Sequence, residues 1–184
     1  MKTLYKRLIS ISMVIFCSVL LFTSCEDFLA EQPYDFYDEQ DFYKDVSELE
    51  LAVNGAYEVL SQKMTYGHFM LVNDCDTDLS HIKGSGTGHT ARDLGHYNIY
   101  TSHNWLEEAW GYYYTGIDRV NRIMANKDRV DLPDETSQAT FKRLIAEARL
   151  LRGICYFDLV RMWGDVPFKL TASDKTENFA VTRT

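Results

Sequence analysis

Leu49, Ala52, Val53, Ala56, Tyr57 and Leu60 fall at offsets of 0, 3, 4, 7, 8 and 11, the spacing of one apolar face on an α-helix. Ser47 and Glu50 stand at the front of that run with the spacing of a capping box, in which each side chain satisfies the other's free backbone N–H, so a helix is expected to open there. Gly55 is a poor helix former beside the apolar face and points to close approach of another element. A second face is formed by Leu106, Ala109, Trp110, Tyr113, Ile117, Val120 and Met124, and a third by Phe141, Leu144, Ile145, Ala148, Leu151, Cys155, Tyr156 and Leu159. The connection from Asn126 to Asp134 is polar and holds Pro133, and Gly164 and Pro167 stop the third helix. From Tyr66 to Asn104 the helical period is lost, and five glycines punctuate a polar stretch: Gly67, Gly84, Gly86, Gly88 and Gly95. Long irregular segments of this kind are usually functional or disordered.

No segment alternates as a strand does, so the class is all-α, with antiparallel helices joined by short turns or one long irregular loop. The second and third helices have the spacing of a tetratricopeptide-like helix pair, although the tetratricopeptide consensus is not matched and no clear internal repeat is present.

The first 24 residues follow a different pattern. Lys2, Lys6 and Arg7 precede an apolar run from Leu8 to Phe22, broken only by small serines, which is the form of a secretory signal peptide. The run falls short of the roughly 20 apolar residues that a bilayer core requires of a retained helix. Leu21-Phe22-Thr23-Ser24-Cys25 resembles a bacterial lipobox, with Phe22 where an aliphatic residue is commoner. The cysteine of such a box is acylated and becomes the mature N-terminus. Each buried CH2 contributes about 0.8 kcal/mol, so several acyl chains, palmitoyl among them, make a durable anchor where one is marginal. Glu26 and Asp27 resemble the acidic pattern that sends Bacteroidetes lipoproteins to the cell surface. Residues 25–46 are then read as an acidic tether: from Cys25 to Glu50 there are ten Asp or Glu and one Lys.

Removing Met1 to Ser24 takes three cations and no acid from the 19 basic and 27 acidic residues, leaving a mature net charge of −11. That balance excludes nucleic acid as the expected partner, because phosphate binding needs Lys and Arg. Loss of the leader also removes Cys17. Acylation of Cys25 then leaves Cys75 and Cys155 as a disulfide pair or two thiols, and the place of Cys155 on an apolar stripe favours a buried thiol.

The candidate chemistry narrows quickly. Asp74-x-Asp76-x-Asp78 opens like a calcium loop, but Leu79 holds the turn-glycine position and Ser85 the closing-glutamate position. His68, His81, His89, His96 and His103 all lie in the same loop region without the tight spacing of zinc sites. Gly84-Ser85-Gly86-Thr87-Gly88 lacks the lysine of a phosphate-binding loop. No catalytic residue, metal site or cofactor is therefore expected. Glu147, Arg149 and Arg152 are expected to form a structural ion-pair network, and Asn121 a helix-to-helix hydrogen bond. Seven aromatics crowd Tyr97 to Tyr114. Flat rings suit the C–H face of a sugar, and Asn98 and Asn104 could bond its hydroxyls. Periodicity assigns Trp110 and Tyr113 to the core, leaving Tyr97, Tyr100 and Trp105 as loop residues to contact a glycan.

Cys25-Glu26-Asp27-Phe28-Leu29, Pro33, Phe42, Ala52 to Tyr57, Trp110 through Asn121, and above all Glu147 to Arg152 and Tyr156 to Pro167 resemble the N-terminal half of SusD/RagB proteins. The resemblance spans nearly the whole chain in the family's order. It implies a tetratricopeptide-like helical fold, of which residues 47–184 are an incomplete N-terminal region, and a chain that is truncated or partial. It further implies a lipid-anchored outer-membrane protein that binds nutrient, a glycan or oligosaccharide in the first place, beside a SusC-like TonB-dependent transporter. The alternatives are a surface glycoside hydrolase and a purely structural tetratricopeptide-like adaptor.

Overall fold

The computed structural model describes residues 42–67, 77–79 and 90–173, all within one compact unit, Glu39–Thr184. The leader, Cys25, most of the tether, Asp74, Cys75, Asp76, three of the histidines and the Gly84–Gly88 run lie outside the described residues.

Among the described residues, four α-helices carry the architecture: α1 (Val46–Tyr57), α2 (Thr90–Gly95), α3 (Asn104–Asn126) and α4 (Glu135–Trp163). The same residues contain no extended strand. Helix α1 opens two residues before the expected point. Asp45 is its N-cap, accepting from the Glu48 N–H at 2.9 Å, and the Glu48 carboxylate reaches back to the Lys44 N–H at 2.7 Å. Asp caps as well as Ser, and Asp45 and Glu48 have the same three-residue spacing as Ser47 and Glu50, so pattern alone does not separate the two. The Lys44 carbonyl also accepts from the Asp131 N–H at 2.9 Å, tying the start of α1 to the connection after α3.

Helix α1 buries Leu49, Val53 and Ala56 and tightens into a 3-10 turn, Glu58–Ser61, which buries Val59. A single π turn, Lys63–Gly67, follows, with Thr65 outside helical geometry. Thr65 is fully buried, and its hydroxyl faces the carbonyls of Val59, Leu60 and Gln62 at 2.7, 3.1 and 3.0 Å, which holds the reversal shut. Helix α2 lies inside the stretch expected to be irregular. Its six residues, with Leu94 as the only large apolar side chain, are too few to show a period.

Helices α3 and α4 run antiparallel. Trp110 meets Trp163, Tyr114 meets Tyr156, Gly116 meets Cys155 and Asn121 meets Arg152, so contacts advance along one helix as they retreat along the other. Asp134 caps α4 by accepting from the Ser137 N–H at 2.7 Å. Gly164 closes it at φ +72°, donating its N–H to the Val160 carbonyl at 2.9 Å, so a glycine stands where the backbone takes a positive φ that other residues rarely adopt.

The close approach expected at Gly55 occurs elsewhere. A side chain at Gly55 would meet nothing within 4 Å, and what that residue supplies is a carbonyl, which accepts from Arg119 at 2.5 Å while Arg119 also pairs with Glu58 at 2.7 Å. Gly116 is the crossing point. A β-carbon there would lie 3.1 Å from Cys155 Sγ and 3.2 Å from Val59 Cγ1, so α3 touches both of its neighbours at that residue. Among the described residues the core has two parts. One joins α1 to the end of α3 and the start of α4 through Leu49, Val53, Val120, Ile123, Leu144 and Ala148. The other joins the front of α3 to the end of α4 around Met64, Leu94, Tyr113, Ile117, Cys155 and Leu159.

Candidate functional site

The sugar candidates lie at the junction of α2 and α3. At the end of α2 the chain forms a glycine-style cap without glycine: the Asn98 N–H donates to the Asp93 carbonyl at 2.8 Å and the Tyr97 N–H to the Leu94 carbonyl at 3.1 Å, with Tyr97 at φ +56°. A second turn brings the His103 N–H to the Tyr100 carbonyl at 3.1 Å, and the His103 carbonyl then accepts from Leu106 and Glu107, starting α3. His103 is fully buried, and the Tyr100 ring leans on it with centroids 5.2 Å apart. The junction presents Tyr97, Ile99 and Tyr100 to solvent, at 69%, 57% and 44% exposure.

Trp105 differs from the expectation. It stands in the first turn of α3 rather than in a loop, is half-buried, and has the Lys63 ammonium 5.8 Å from its ring centroid. Tyr97 and Tyr100 share an exposed turn, whereas Trp105 packs against the second part of the core. The remaining aromatics of the cluster are structural. Trp163, Trp110, Tyr114, Tyr156 and Phe168 form a ladder of ring contacts with centroids 4.8–6.5 Å apart. This ladder holds the chain beyond α4: the Tyr114 hydroxyl donates to the Pro167 carbonyl at 2.7 Å, and Tyr156 both donates to the Lys169 carbonyl and accepts its N–H. The block around Trp163-Gly164-Asp165-Val166-Pro167 is thereby pinned across the helix pair.

Asn121 makes the helix-to-helix bond expected of it, and more. Its amide oxygen accepts from Arg152 at 2.7 Å, and its nitrogen donates to the Thr171 carbonyl at 2.8 Å, so one buried side chain joins α3, α4 and the segment after it. The network expected of Glu147, Arg149 and Arg152 is otherwise divided. Glu147 pairs with Arg143 one turn earlier at 2.6 Å, Arg143 also faces Glu50 of α1 at 3.5 Å, and Arg149 is exposed. Charge on a half-exposed helix is satisfied along its own surface, which sequence spacing by itself does not distinguish from a buried network.

Sequence reasoning missed Asp158. It is 2% exposed on α4 and accepts from the Tyr66 hydroxyl at 2.6 Å, with Arg161 at 3.7 Å. Burial, then the bond to Asp158, pushes the Tyr66 hydroxyl up to about 12. Burial, then the neighbouring Asp158, likewise pushes the Cys155 thiol up to about 12. Cys155 is a buried, protonated free thiol, unsuited to nucleophilic chemistry. The cluster ties the π turn after α1 to α4; its only sequence signal is an acid on the apolar face of a helix.

A model of the SusD-like family, described as starch-binding and associating with the outer membrane, matches residues 27–184. Two SusD-like proteins of Formosa agariphila are 29% and 26% identical over 152 and 170 residues, covering 79% and 90% of this chain. The chain spans 28% and 33% of their lengths, about a third or less. A crystal structure of a SusD homologue from Bacteroides thetaiotaomicron superposes with a TM-score of 0.70 at 26% identity, covering 79% of this chain and 28% of that one. The likeness extends to the all-α, tetratricopeptide-like arrangement of the helix pairs. With the match reaching across the helices, the ladder and the pinned segment after α4, the chain belongs to the SusD-like family.

Proposed function

We propose that this chain is part of a cell-surface lipoprotein that binds glycan at the outer membrane and passes it to a SusC-like TonB-dependent transporter, without hydrolysing it. The observation that carries the reading is the family match over residues 27–184, described as starch-binding and outer-membrane associating. The exposed aromatic turn at Tyr97 and Tyr100 supports it, since rings held on a hydrogen-bonded backbone suit sugar C–H faces. In this reading residues 1–24 are a leader, Cys25 carries the lipid, residues 25–46 are a tether and residues 47–184 are the first helical region of the binding protein.

Binding is tested on the full-length protein by electrophoresis through gels containing a polysaccharide, with reducing sugar assayed in parallel. Retardation without sugar release is expected, and Tyr100→Ala should weaken binding about fivefold, from roughly 1 kcal/mol of lost stacking, whereas Asp76→Asn should change it little. Trp105→Ala is expected to weaken binding as well, through the packing of the first turn of α3 against the second part of the core. Release of reducing sugar would move the protein to the hydrolase class.

The anchor has its own test. Metabolic labelling with a fatty acid should mark the wild-type protein and leave Cys25→Ala unlabelled, and the variant should partition into the aqueous phase. Equal labelling of both forms rules out Cys25 as the lipid site.

A further inference from the structure

Helices α3 and α4 hold the segment after Gly164 by its main chain. The Tyr114 hydroxyl donates to the Pro167 carbonyl at 2.7 Å, and the Tyr156 hydroxyl donates to the Lys169 carbonyl at 2.8 Å while accepting the Lys169 N–H at 2.7 Å. The Asn121 amide nitrogen reaches the Lys169 and Thr171 carbonyls at 3.4 and 2.8 Å. Asp118 accepts the Ser173 N–H at 2.7 Å, and Arg122 donates to the Ser173 carbonyl at 3.1 Å. Pro167, Lys169, Thr171 and Ser173 are alternate residues, so one edge of an extended chain faces the helices. Their partners on α3, Tyr114, Asp118, Asn121 and Arg122, fall at offsets of 0, 4, 7 and 8, which is a single helix face. Two of these side chains are themselves fixed. The Asn121 amide oxygen accepts from Arg152 at 2.7 Å, which turns its donors toward the segment, and Arg122 Nε meets Asp118 at 2.9 Å.

We infer that this face of α3, with Tyr156 of α4, is a clamp for the main chain of an extended polypeptide, and that residues 167–173 are its resident ligand, a strap that opens from Ser173 toward Pro167. Main-chain groups are common to all residues, so the clamp selects an extended backbone and a register rather than a sequence. The exposed side chains of Leu170, Thr171 and Ser173 are then free to vary. Register is set at the near end, where Val166 is buried and the Phe168 ring packs on Tyr156 with centroids 4.8 Å apart. The direction of opening follows from the two kinds of link. Ser173 is held by the partly exposed pair of Asp118 with Arg122, which salt screens, whereas Asn121 is enclosed, at 2% exposure, and uncharged. Asn121 is therefore the lock at which opening from the far end stops.

The test is hydrogen exchange of the Lys169 and Ser173 amides in the full-length protein, read by mass spectrometry with residue-resolving fragmentation. Asn121→Asp keeps the size of the side chain and the acceptor for Arg152 but sets a carboxylate oxygen against the Lys169 and Thr171 carbonyls. Both amides should then exchange about tenfold faster, whereas the double variant Leu170→Ser with Thr171→Ala should stay within about twofold of wild type. Tyr156→Phe keeps the ring contacts and removes the hydroxyl, and should release the Lys169 amide in the same way, which gives a second reading should Asn121→Asp fail to fold. In wild type, about 0.5 M NaCl should speed exchange at Ser173 and leave Lys169 unchanged. Wild-type exchange in a folded Asn121→Asp or Tyr156→Phe protein would overturn the clamp. Release of the strap by the double variant would show that side chains hold it and would overturn the clamp as well, and equal response of the two amides to salt would overturn the direction of opening.

Discussion

Replacing Tyr113 with alanine is expected to cost about 3–5 kcal/mol of folding free energy, whereas phenylalanine at the same position should be tolerated within about 1 kcal/mol. Tyr113 is fully buried on α3 and is the largest of the completely enclosed side chains among the described residues. It fills the space between the front of α3 and the end of α4, among Met64, Leu94, Ile117, Cys155 and Leu159. Alanine would leave a cavity that helices fixed at Gly116 on one side and by the Trp110–Trp163 contact on the other are poorly placed to close. The hydroxyl is a different matter. It is buried and makes no hydrogen bond within normal geometry, and burial, with Asp158 as the next cause, pushes its pKa upward and keeps it protonated. Its removal therefore loses little. Urea unfolding followed by circular dichroism measures both variants, and the loss in the alanine variant is a large part of a typical total of about 5–15 kcal/mol. Equal destabilisation by phenylalanine would show that the hydroxyl is bonded in solution.

The contrast between Tyr113 and Tyr97 also separates what the sequence reveals from what it hides. Tyr113 shares a helical period with Ala109, Ile117 and Val120, so its burial is legible from spacing, and all four are buried. The same holds for Leu144, Ile145, Ala148, Leu151, Cys155 and Leu159 on α4. The start of α1 is ambiguous in the sequence because Asp45 and Ser47 are equivalent capping residues and only tertiary contacts choose between them. The close packing at Gly116 cannot be read because it depends on Val59 and Cys155, residues 57 positions before and 39 positions after it.

For the candidate site, residue chemistry sorts the aromatics only in part. Periodicity separates Trp110 and Tyr113 from Tyr97 and Tyr100, but Trp105 lies one residue inside α3, where half an apolar face looks the same as a loop. The left-handed backbone at Tyr97 leaves no mark in the sequence, because the usual sign of such a cap is a glycine and here Gly95 stands two residues earlier, inside α2. Asp158 is equally hidden, since its meaning comes from Tyr66, 92 residues away.

Residues 25–184 expressed on their own are expected to show helical circular dichroism, bind a hydrophobic dye and self-associate. The apolar residues of α4 that the sequence pattern brings forward for this, Phe141, Leu144, Leu151, Tyr156, Leu159 and Trp163, are buried or half-buried, so a different set carries the expectation. The uncovered stripe is Leu150, Phe157 and Val160, at 62%, 61% and 53% exposure, on the side of α4 turned away from Leu151, Cys155 and Leu159. Gly153 lies between them with open space where a β-carbon would stand. Phe168 and Leu170 continue the apolar surface beyond α4, at 53% and 52% exposure. Covering each of the three stripe residues is worth about 1–2 kcal/mol, together about 3–6 kcal/mol, which corresponds to weak association in the range from tens of micromolar to millimolar. The double substitution Leu150→Glu with Phe157→Glu tests the location. The carboxylate introduced by Phe157→Glu would stand four residues before Arg161, the favourable order for an ion pair on a helix, so α4 itself should survive. Dye binding should fall at least twofold and sedimentation should shift to the monomer, with the helical signal unchanged. Wild-type residues 25–184 that sediment as a monomer, melt sharply and bind no dye would refute the expectation, and a double variant that associates as strongly as wild type would place the adhesive surface away from α4.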